Sequence, residues 1–352
     1  MSVQPIKIGI IGAGNNTRVR HIPGLQALTG VEIVSVCNRS RESSQRVADE
    51  FGIAKVYDDW RELIAADDIH AIVIGTWPYM HREMTCAALD AGKHVMCEAR
   101  MAMNAAEAHA MLRKAQEHPN LVAQIVPSPF TFKVDRTVQE LLADGYLGDL
   151  YAVKVSGTTP GFANFDSPLH WRSLQELSGL NVLNMGIWYE AAMRWVGPAS
   201  RVYARTRIYV PERRDPATGA MGSLDVPDYV EIVADLENGA LATYEFSAVS
   251  GFAPGQGAWL FGRNGTLHYD HASGKLFGGK RSDQALQEIA IAPEKAAAWR
   301  VEEEFVGAIR GQEELRLTDF ATGVKYMEFT EAVHRSATSG QSVTLPLANI
   351  GS

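Results

Sequence analysis

The sequence predicts an α/β chain in which a doubly wound parallel sheet is followed by an α+β domain with an open, mainly antiparallel sheet. Three observations lead to this fold class. Strands and helices alternate up to about residue 127, a glycine turn follows the first strand, and the remainder reads as a series of strands with few helices. We place the domains at 1–127 and 128–352. A chain of 352 residues, 46% of them hydrophobic, is long enough for two cores.

The first predicted strand, 6–11, is an apolar run of the kind buried on both faces of a parallel sheet. Gly12 and Gly14 follow it, and helical spacing begins at 17–28. Glycines here permit a tight turn and a close approach of the backbone to a pyrophosphate, which the N–H groups of a helix start attract. The third glycine of this pattern is Thr17, which predicts a looser contact between helix and strand. The residues that we expect to bind the cofactor at this turn are Gly12, Gly14, Asn15 and Asn16.

The rest of the first domain repeats the alternation. Further strands are predicted at 31–37, 55–57, 70–75, 94–97 and 121–126, and further helices at 41–51, 59–66, 79–91 and 105–118. Right-handed crossovers then give a Rossmann dinucleotide-binding domain with the glycine turn at its cofactor edge.

The end of the second strand bears on the choice of cofactor. An acidic residue there accepts hydrogen bonds from the ribose hydroxyls of NAD, whereas this chain has Asn38-Arg39-Ser40. Arg39 can stack on adenine or pair with a 2'-phosphate, and Asn38 and Ser40 can donate hydrogen bonds to it. The sequence therefore favours NADP, with NAD as the alternative. If Arg39 binds no ligand, it is a solvated arginine in a loop.

The second domain reads as a meander. Strands are predicted at 151–158, 201–210, 229–236, 240–249, 258–261 and 266–269, helices at 181–196, 294–310 and 319–337, and insertions at 160–178 and 211–226. An open sheet of this kind has one face to cover, so we expect a homodimer or homotetramer formed through it.

Composition excludes several classes of partner. The net charge of -8 without a basic cluster argues against nucleic acid, and the longest apolar runs are too short to span a membrane. The chain starts without a cationic and apolar leader, and its three cysteines form no CxxC pair. We therefore expect a cytoplasmic protein with reduced thiols, no metal site and a small-molecule substrate.

Several short motifs together resemble the Gfo/Idh/MocA family, the relatives of glucose-fructose oxidoreductase and inositol dehydrogenase. They are Gly12-Ala13-Gly14 with His21, Thr76-Trp77-Pro78-Tyr79-Met80-His81, Ala91-Gly92-Lys93-His94-Val95-Met96-Cys97-Glu98, Gly145-Tyr146-Leu147-Gly148, and the closing Glu331-Ala332-Val333 to Gly340. The resemblance implies an NAD(P)-dependent oxidoreductase acting on a sugar, polyol or related ring. The further cofactor-binding residues that it implies are Thr76, Trp77, His81 and Glu98.

Three family residues are missing. Glu98-Ala99-Arg100 stands where the family has Glu-Lys-Pro, so its lysine is absent. The family's catalytic aspartate and histidine correspond to Asn184 and Trp188, and neither an amide nor an indole can take the proton of an alcohol. Without the proline, a cis bond before Arg100 costs about 3 kcal/mol, which predicts a trans bond.

Other acid/base groups lie near these positions in the sequence. His170 is the first candidate base, with a surface-loop histidine as its alternative, and Tyr189 follows Trp188. Arg100 and Arg172 could bind a carboxylate or phosphate of the substrate, or form salt bridges. Aromatic residues could line a sugar or fill the core; they are Trp77, Trp171 and Trp188. The residues that we expect to contact substrate are Glu98, Arg100, Arg172, Asn184 and Trp188.

Three functions are consistent with this pattern. The first is an oxidoreductase with non-standard acid/base residues. The second is a lyase or hydrolase that uses a bound nicotinamide cofactor transiently, and the third is a cofactor-binding sensor without catalysis. Release of reduced cofactor marks the first, turnover without net change in cofactor the second, and binding without turnover the third.

Overall fold

The computed structural model describes residues 5–348 and residue 350. Its contacts divide the chain into two units. The first consists of the described residues up to Pro127 together with Arg300–Val324, and the second of Ser128–Trp299 with the described residues from Lys325 onward. The sequence assigned 300–324 to the second domain, and the structure instead packs this segment with the first.

The first unit contains a six-stranded parallel sheet. Its strands are β1 (Ile6–Ile11), β2 (Val31–Cys37), β3 (Lys55–Val56), β4 (Ala71–Ile74), β5 (His94–Cys97) and β6 (Ala123–Ile125). They lie in the order β3-β2-β1-β4-β5-β6, so the direction of the strand order reverses beside β1. A reversal of this kind is where an open α/β sheet binds its ligand. The predicted Rossmann arrangement is confirmed.

The helices of this unit connect successive strands. A π-helical turn, Thr17–His21, runs into α1 (Ile22–Gln26), and the others are α2 (Arg41–Phe51), α3 (Trp60–Ala65), α4 (Pro78–Asp90) and α5 (Ala105–Glu117). The returning segment adds α9 (Val301–Ile309). Gly52 ends α2 in the left-handed conformation, as the sequence predicts for a glycine after the last helical turn.

Hydrogen bonds from buried side chains attach α9 to the first unit. Glu302 bonds His21, and Glu304 accepts from the amide of Gln124 at 3.0 Å. Ile125 N–H donates to the carbonyl of Thr318. These contacts join positions 180 to 281 residues apart in the chain, which is why the pattern of strands and helices alone could not assign the segment.

The second unit is built on a nine-stranded sheet. Its strands are β7 (Leu150–Gly157), β8 (Ala199–Arg207), β11 (Tyr229–Leu236), β12 (Leu241–Ser247), β13 (Gln256–Gly262), β14 (Gly265–Asp270), β15 (Lys275–Lys280), β16 (Gln287–Ile289) and β17 (Val343–Thr344). Their order is β16-β15-β14-β13-β7-β12-β11-β8-β17. Among the described strands of this sheet, only β7 and β12 pair in parallel, so the predicted open, mainly antiparallel sheet is confirmed.

Helices pack against one face of this sheet. They are α6 (Phe132–Ala143), α7 (Gln175–Ser178), α8 (Met185–Val196) and α10 (Phe320–Ser339), which starts in the first unit. Ser336 on α10 accepts a hydrogen bond from Ala204 N–H of β8. The opposite face carries exposed apolar side chains at Tyr203 and Val233, the latter 45% exposed.

Several elements differ from the sequence prediction. Three strands were missed, β15, β16 and β17; the first has the sequence Lys-Leu-Phe-Gly-Gly-Lys, in which the glycines hide the strand pattern. The insertion predicted as a loop at 211–226 contains a hairpin of β9 (Glu212–Arg214) and β10 (Met221–Ser223). In residues 5–348 and 350, no helix is long and apolar enough to cross a membrane.

Candidate functional site

The glycine turn after β1 leaves no space for side chains. Gly12 has a φ of +80°, and a Cβ atom there would lie 2.6 Å from the side chain of Thr76. A Cβ on Gly75 would lie 2.1 Å from Thr17 Oγ1. Thr17 is only 1% exposed, so the predicted loose contact is wrong. The small residue that allows this close packing is Gly75, at the end of β4, and not a glycine at position 17 in the helix. The motif alone does not reveal this exchange.

Asn38 holds the glycine turn. Its Oδ1 accepts the N–H of Ala13 at 2.7 Å, and its Nδ2 donates to the carbonyl of Ser43 at 3.1 Å. The sequence offered this amide as a donor to a 2'-phosphate, and the structure corrects that role because its hydrogens are directed at Ser43. Ser40 caps α2, its Oγ accepting the N–H of Ser43 at 3.2 Å.

A cavity of about 340 Å³ lies beside this turn. Its walls include Gly12, Gly14, Arg39, Ser40, Arg46 and Trp77. The Arg39 guanidinium lies 5.7 Å from the centre of the Trp77 ring, a cation–π contact. Asn15 is exposed at the adjoining helix start. A glycine-lined wall beside a helix start and a cationic end fits a dinucleotide, whose phosphates need close backbone approach.

His81 does not reach this cavity. It is fully buried, with Nε2 3.0 Å from the carbonyl oxygen of Thr76 and Nδ1 3.0 Å from that of Arg100. The cofactor-binding role predicted for His81 is therefore corrected to a structural one. Its imidazole joins the loops that follow β4 and β5.

The loop after β5 begins with Glu98, whose carboxylate accepts a hydrogen bond from Asn16 at 2.5 Å. Both residues were predicted at the cofactor, and the structure brings them together at the edge of the sheet. The Ala99–Arg100 bond is cis, so the predicted trans bond is wrong. The trans bond was predicted from the free-energy cost of a cis bond without proline alone, and contacts of the neighbouring residues were unknown from the sequence. Arg100 is 7% exposed, which leaves little of it for a substrate.

In the second unit, Asn184 and Trp188 share one hydrogen-bond acceptor. Trp188 Nε1 donates to Gln256 Oε1 at 2.9 Å, and Asn184 Nδ2 donates to the same oxygen at 3.0 Å. Gln256 was not identified from the sequence, because a polar residue between two glycines at a strand start carries no functional signal. The two replaced family positions thus form one hydrogen-bonded group.

A histidine, His271, lies beside the group formed by Asn184, Trp188 and Gln256. The His271 ring centre is 5.5 Å from that of Trp188 and 4.6 Å from that of Phe130. Burial lowers the pKa of His271, which favours the neutral imidazole. Trp188 itself is completely buried, so its ring packs in the core of the second unit and does not provide an aromatic wall for a sugar. His271 follows a predicted strand and was missed because nothing in its neighbourhood resembles a motif.

Tyr189 lies on the core side of α8. It is 1% exposed, stacks on Phe329 at 3.6 Å, and its hydroxyl accepts the N–H of Ala199 at 2.9 Å. Burial also raises its pKa. The predicted catalytic role is therefore corrected: Tyr189 projects about 100° around the helix from Trp188, and its ring packs on Phe329.

His170 and Arg172 lie in the insertion that the sequence singled out. His170 is exposed, and its Nδ1 accepts the N–H of Arg172 at 3.2 Å. The Arg172 guanidinium lies 4.3 Å from the centre of the Trp171 ring. Burial and then the charge of Arg172 lower the pKa of His170, so its imidazole is neutral at neutral pH.

Side chains of metal-binding type meet at one place in the described residues. Asp90, Glu117 and His118 lie at the ends of α4 and α5. The Lys114 ammonium bonds both carboxylates, at 2.9 Å and 2.6 Å. An internal cation already balances this exposed cluster.

Comparison with known proteins agrees with these features. A family model described as the oxidoreductase family with an NAD-binding Rossmann fold matches residues 6–125, and one for the GFO/IDH/MocA C-terminal domain matches residues 136–268. The chain belongs to the Gfo/Idh/MocA family of oxidoreductases, as its motifs predicted.

Two relatives with named activities match about two thirds of the chain or more. Levoglucosan dehydrogenase of Pseudarthrobacter phenanthrenivorans is 26% identical over 266 residues, covering 69% of this chain and 67% of the relative. D-glucoside 3-dehydrogenase of Escherichia coli is 26% identical over 251 residues, covering 70% and 68%. A levoglucosan dehydrogenase structure with NADH and L-sorbose superposes with a TM-score of 0.85 at 22% identity, covering 97% of this chain and 99% of that one. At this identity the superposition shows the shared fold.

Proposed function

We propose that the protein is an NAD(P)-dependent oxidoreductase acting on a sugar, polyol or related cyclic hydroxy compound. The observation that carries the proposal is the cavity of about 340 Å³ beside the glycine turn, which is lined by Gly12, Gly14 and Gly75. Glycines and a helix start at its wall allow the close backbone approach that a pyrophosphate needs. Family membership supports a nicotinamide cofactor, and the names of the two dehydrogenase relatives support a carbohydrate substrate. When bound, the cofactor supplies hydride transfer.

NADP is the cofactor that we propose, with NAD as the alternative. Arg39, Ser40 and Arg46 surround the end of the cavity nearest α2, and none of the three is acidic. Ser40 and the first N–H groups of α2 offer donors to an anion. Glu42, which pairs with Arg46, is the single acidic side chain in the first turn of that helix. Arg39 therefore supplies the charge that distinguishes a 2'-phosphate from a hydroxyl.

Proton transfer needs a residue that replaces the family's lysine and histidine. Oxidation of a secondary alcohol removes a hydride from carbon and a proton from its hydroxyl oxygen, and the proton must reach a base. Ala99 and Trp188 provide none. The second unit offers His170, which is exposed, and His271, which lies against Trp188. The position of His271 beside the replaced histidine favours it as the base, with His170 as the alternative.

We further propose that the uncovered face of the nine-stranded sheet forms a homodimer or homotetramer. The row of side chains that crosses this face is Tyr203, Val233, Thr243, Lys154, Trp259, His268 and Phe277. Trp259 and His268 stack with ring centres 3.8 Å apart, and Val233 is 45% exposed. A face of this kind is self-complementary about a two-fold axis. Sedimentation velocity tests the assembly: Val233→Glu should give monomers where the native chain does not, and a monomeric native chain would contradict it.

The reaction class is tested by turnover with a panel of anhydrosugars, glycosides and polyols. Each candidate is incubated with NADP⁺ and with NAD⁺, while cofactor absorbance and product mass are followed together. A ketone product with equimolar reduced cofactor supports the proposal. Product without net cofactor reduction would indicate the lyase or hydrolase alternative, and cofactor binding without any product would indicate a sensor.

A further inference from the structure

A buried histidine lies between two carboxylates in the first unit. His21 is 0% exposed; its Nε2 is 2.9 Å from Glu98 Oε1, and its Nδ1 is 2.5 Å from Glu302 Oε1. Ionised carboxylates only accept hydrogen bonds, so both ring nitrogens must donate. His21 is therefore an imidazolium. Although burial opposes the charge, the hydrogen bonds to Glu302 and Glu98 raise its pKa to about 9.

The same contacts fix Glu98 as a carboxylate. Its Oε1 accepts from His21 and from Asn16, the latter at 2.5 Å, and its Oε2 accepts the N–H of Ala99 at 3.1 Å. Burial opposes ionisation, but His21 and Asn16 lower the pKa of Glu98. These three donors hold the carboxylate in one orientation, and the Glu98 side chain is 14% exposed.

Glu98 lies at the cofactor edge of the sheet. It follows β5 directly, on the other side of β1 from the Arg39 end of the cavity. A dinucleotide spans the reversal of strand order with its pyrophosphate at the glycine turn, so its two halves reach opposite sides of β1. With Arg39 on the side of the adenosine, Glu98 is on the side of the nicotinamide.

We propose that Glu98 makes the site prefer the oxidised form of the cofactor, and that His21 and Glu302 are positioning residues that act through it. The inference rests on the proposed nicotinamide cofactor. The three side chains carry a formal charge of -1, since two carboxylates flank one imidazolium. An oxidised nicotinamide ring is cationic and a reduced one is neutral, so a fixed negative charge on that side of the turn stabilises the oxidised ring selectively.

The test compares dissociation constants of NADP⁺ and NADPH by calorimetry in the native protein, Glu98→Gln and Glu302→Gln. Glu98→Gln keeps the shape of the side chain and removes its charge, and should weaken NADP⁺ about tenfold while changing NADPH less than twofold. Glu302→Gln removes a negative charge that lies further from the cofactor than Glu98 does. It should change the ratio of the NADP⁺ and NADPH dissociation constants in the same direction by about threefold. Glu62→Gln, at an exposed carboxylate on α3, is the matched control and should change neither constant.

Thermal unfolding of each variant establishes that it is folded. A structural role alone would move both constants together, and an unchanged ratio in both glutamine variants would overturn the inference while leaving the proposed function intact. Failure of the native protein to bind either form would contradict the proposed cofactor, and with it this inference.

Discussion

Trp188 donates its indole N–H to Oε1 of Gln256 across 2.9 Å, at the position where the family resemblance places a catalytic histidine. Asn184, at the position of the family's aspartate, donates to the same oxygen. Both donors depend on this one acceptor, so a change at Gln256 affects Asn184 and Trp188 together. The two departures from the family therefore form one hydrogen-bonded group around Gln256.

This unit can be tested by stability. Gln256→Leu removes the acceptor of a fully buried indole N–H, and we expect it to lower the free energy of unfolding by about 1 to 3 kcal/mol. Adding Trp188→Phe removes the unsatisfied donor, so the double variant should lose less than the sum of the two single variants. Denaturant titration of the three variants measures the difference, and strictly additive losses would show that the hydrogen bond does not couple them.

Kinetics decide which histidine takes the proton. His271→Asn should lower kcat by about a hundredfold or more, the size of effect expected for loss of a general base, and should leave cofactor affinity unchanged. The acid limb of the pH–rate profile should disappear with it. His170→Asn should change kcat less than His271→Asn does.

A matched control is available on the open sheet face. His268 stacks between Trp259 and Phe277 there, and His268→Asn changes the same chemical group away from Trp188. If His170→Asn caused the larger loss, the base would lie in the insertion, as the sequence first predicted.

Tyr189→Phe separates a core role from a catalytic one. The change removes a hydroxyl that accepts Ala199 N–H, leaving that backbone donor buried. We expect a loss of about 1 to 3 kcal/mol in the free energy of unfolding and kcat within twofold of the native value. A hundredfold fall in kcat in a folded variant would restore the catalytic assignment.

The proposed preference for NADP is tested at Arg39. A charge-assisted hydrogen bond contributes about 1.5 to 3 kcal/mol, so Arg39→Ala should weaken NADP⁺ by about ten- to a hundredfold and leave NAD⁺ nearly unchanged. Arg41→Ala removes the same charge from an arginine paired with Asp58, and serves as the control. Equal affinities of the native protein for the two cofactors, measured by calorimetry, would contradict the preference.

The imidazolium of His21 predicts a pH dependence of stability. Its pKa is raised to about 9 in the folded chain against 6.5 when unfolded, so its contribution is complete below pH 6.5 and is lost as the pH rises through 9. The full contribution amounts to about 3 kcal/mol. Burial raises the pKa of Cys37 to about 11, and this shift affects stability only above pH 9.0, the ordinary pKa of the thiol. Between pH 6.5 and about pH 9, calorimetric unfolding should show stability falling with pH in the native chain and a flatter profile in His21→Gln.

The sequence was sufficient for features that local patterns encode. The apolar run before Gly12, the alternation of strands and helices in the first domain and the mainly antiparallel sheet all follow from periodicity and turn residues. It was insufficient where distant residues meet. Gln256, 68 residues from Trp188 in the chain, contacts it from β13, and His271 contacts it from just after β14. Glu302 contacts His21 across 281 residues. The contacts of Tyr189 could not be predicted either, since Trp188 and Tyr189 are both buried, differ by about 100° around α8, and only packing decides what each one contacts.

Stoichiometry of turnover is the most direct test of the proposed oxidoreductase. The native protein is mixed with excess cyclic polyol or anhydrosugar and a limiting amount of NADP⁺, and reduced cofactor and ketone are quantified in the same sample. The proposal predicts one ketone formed for each NADPH released, with both falling about a hundredfold in His271→Asn. Substrate consumed without NADPH, or NADP⁺ bound without any conversion across the panel, would contradict it.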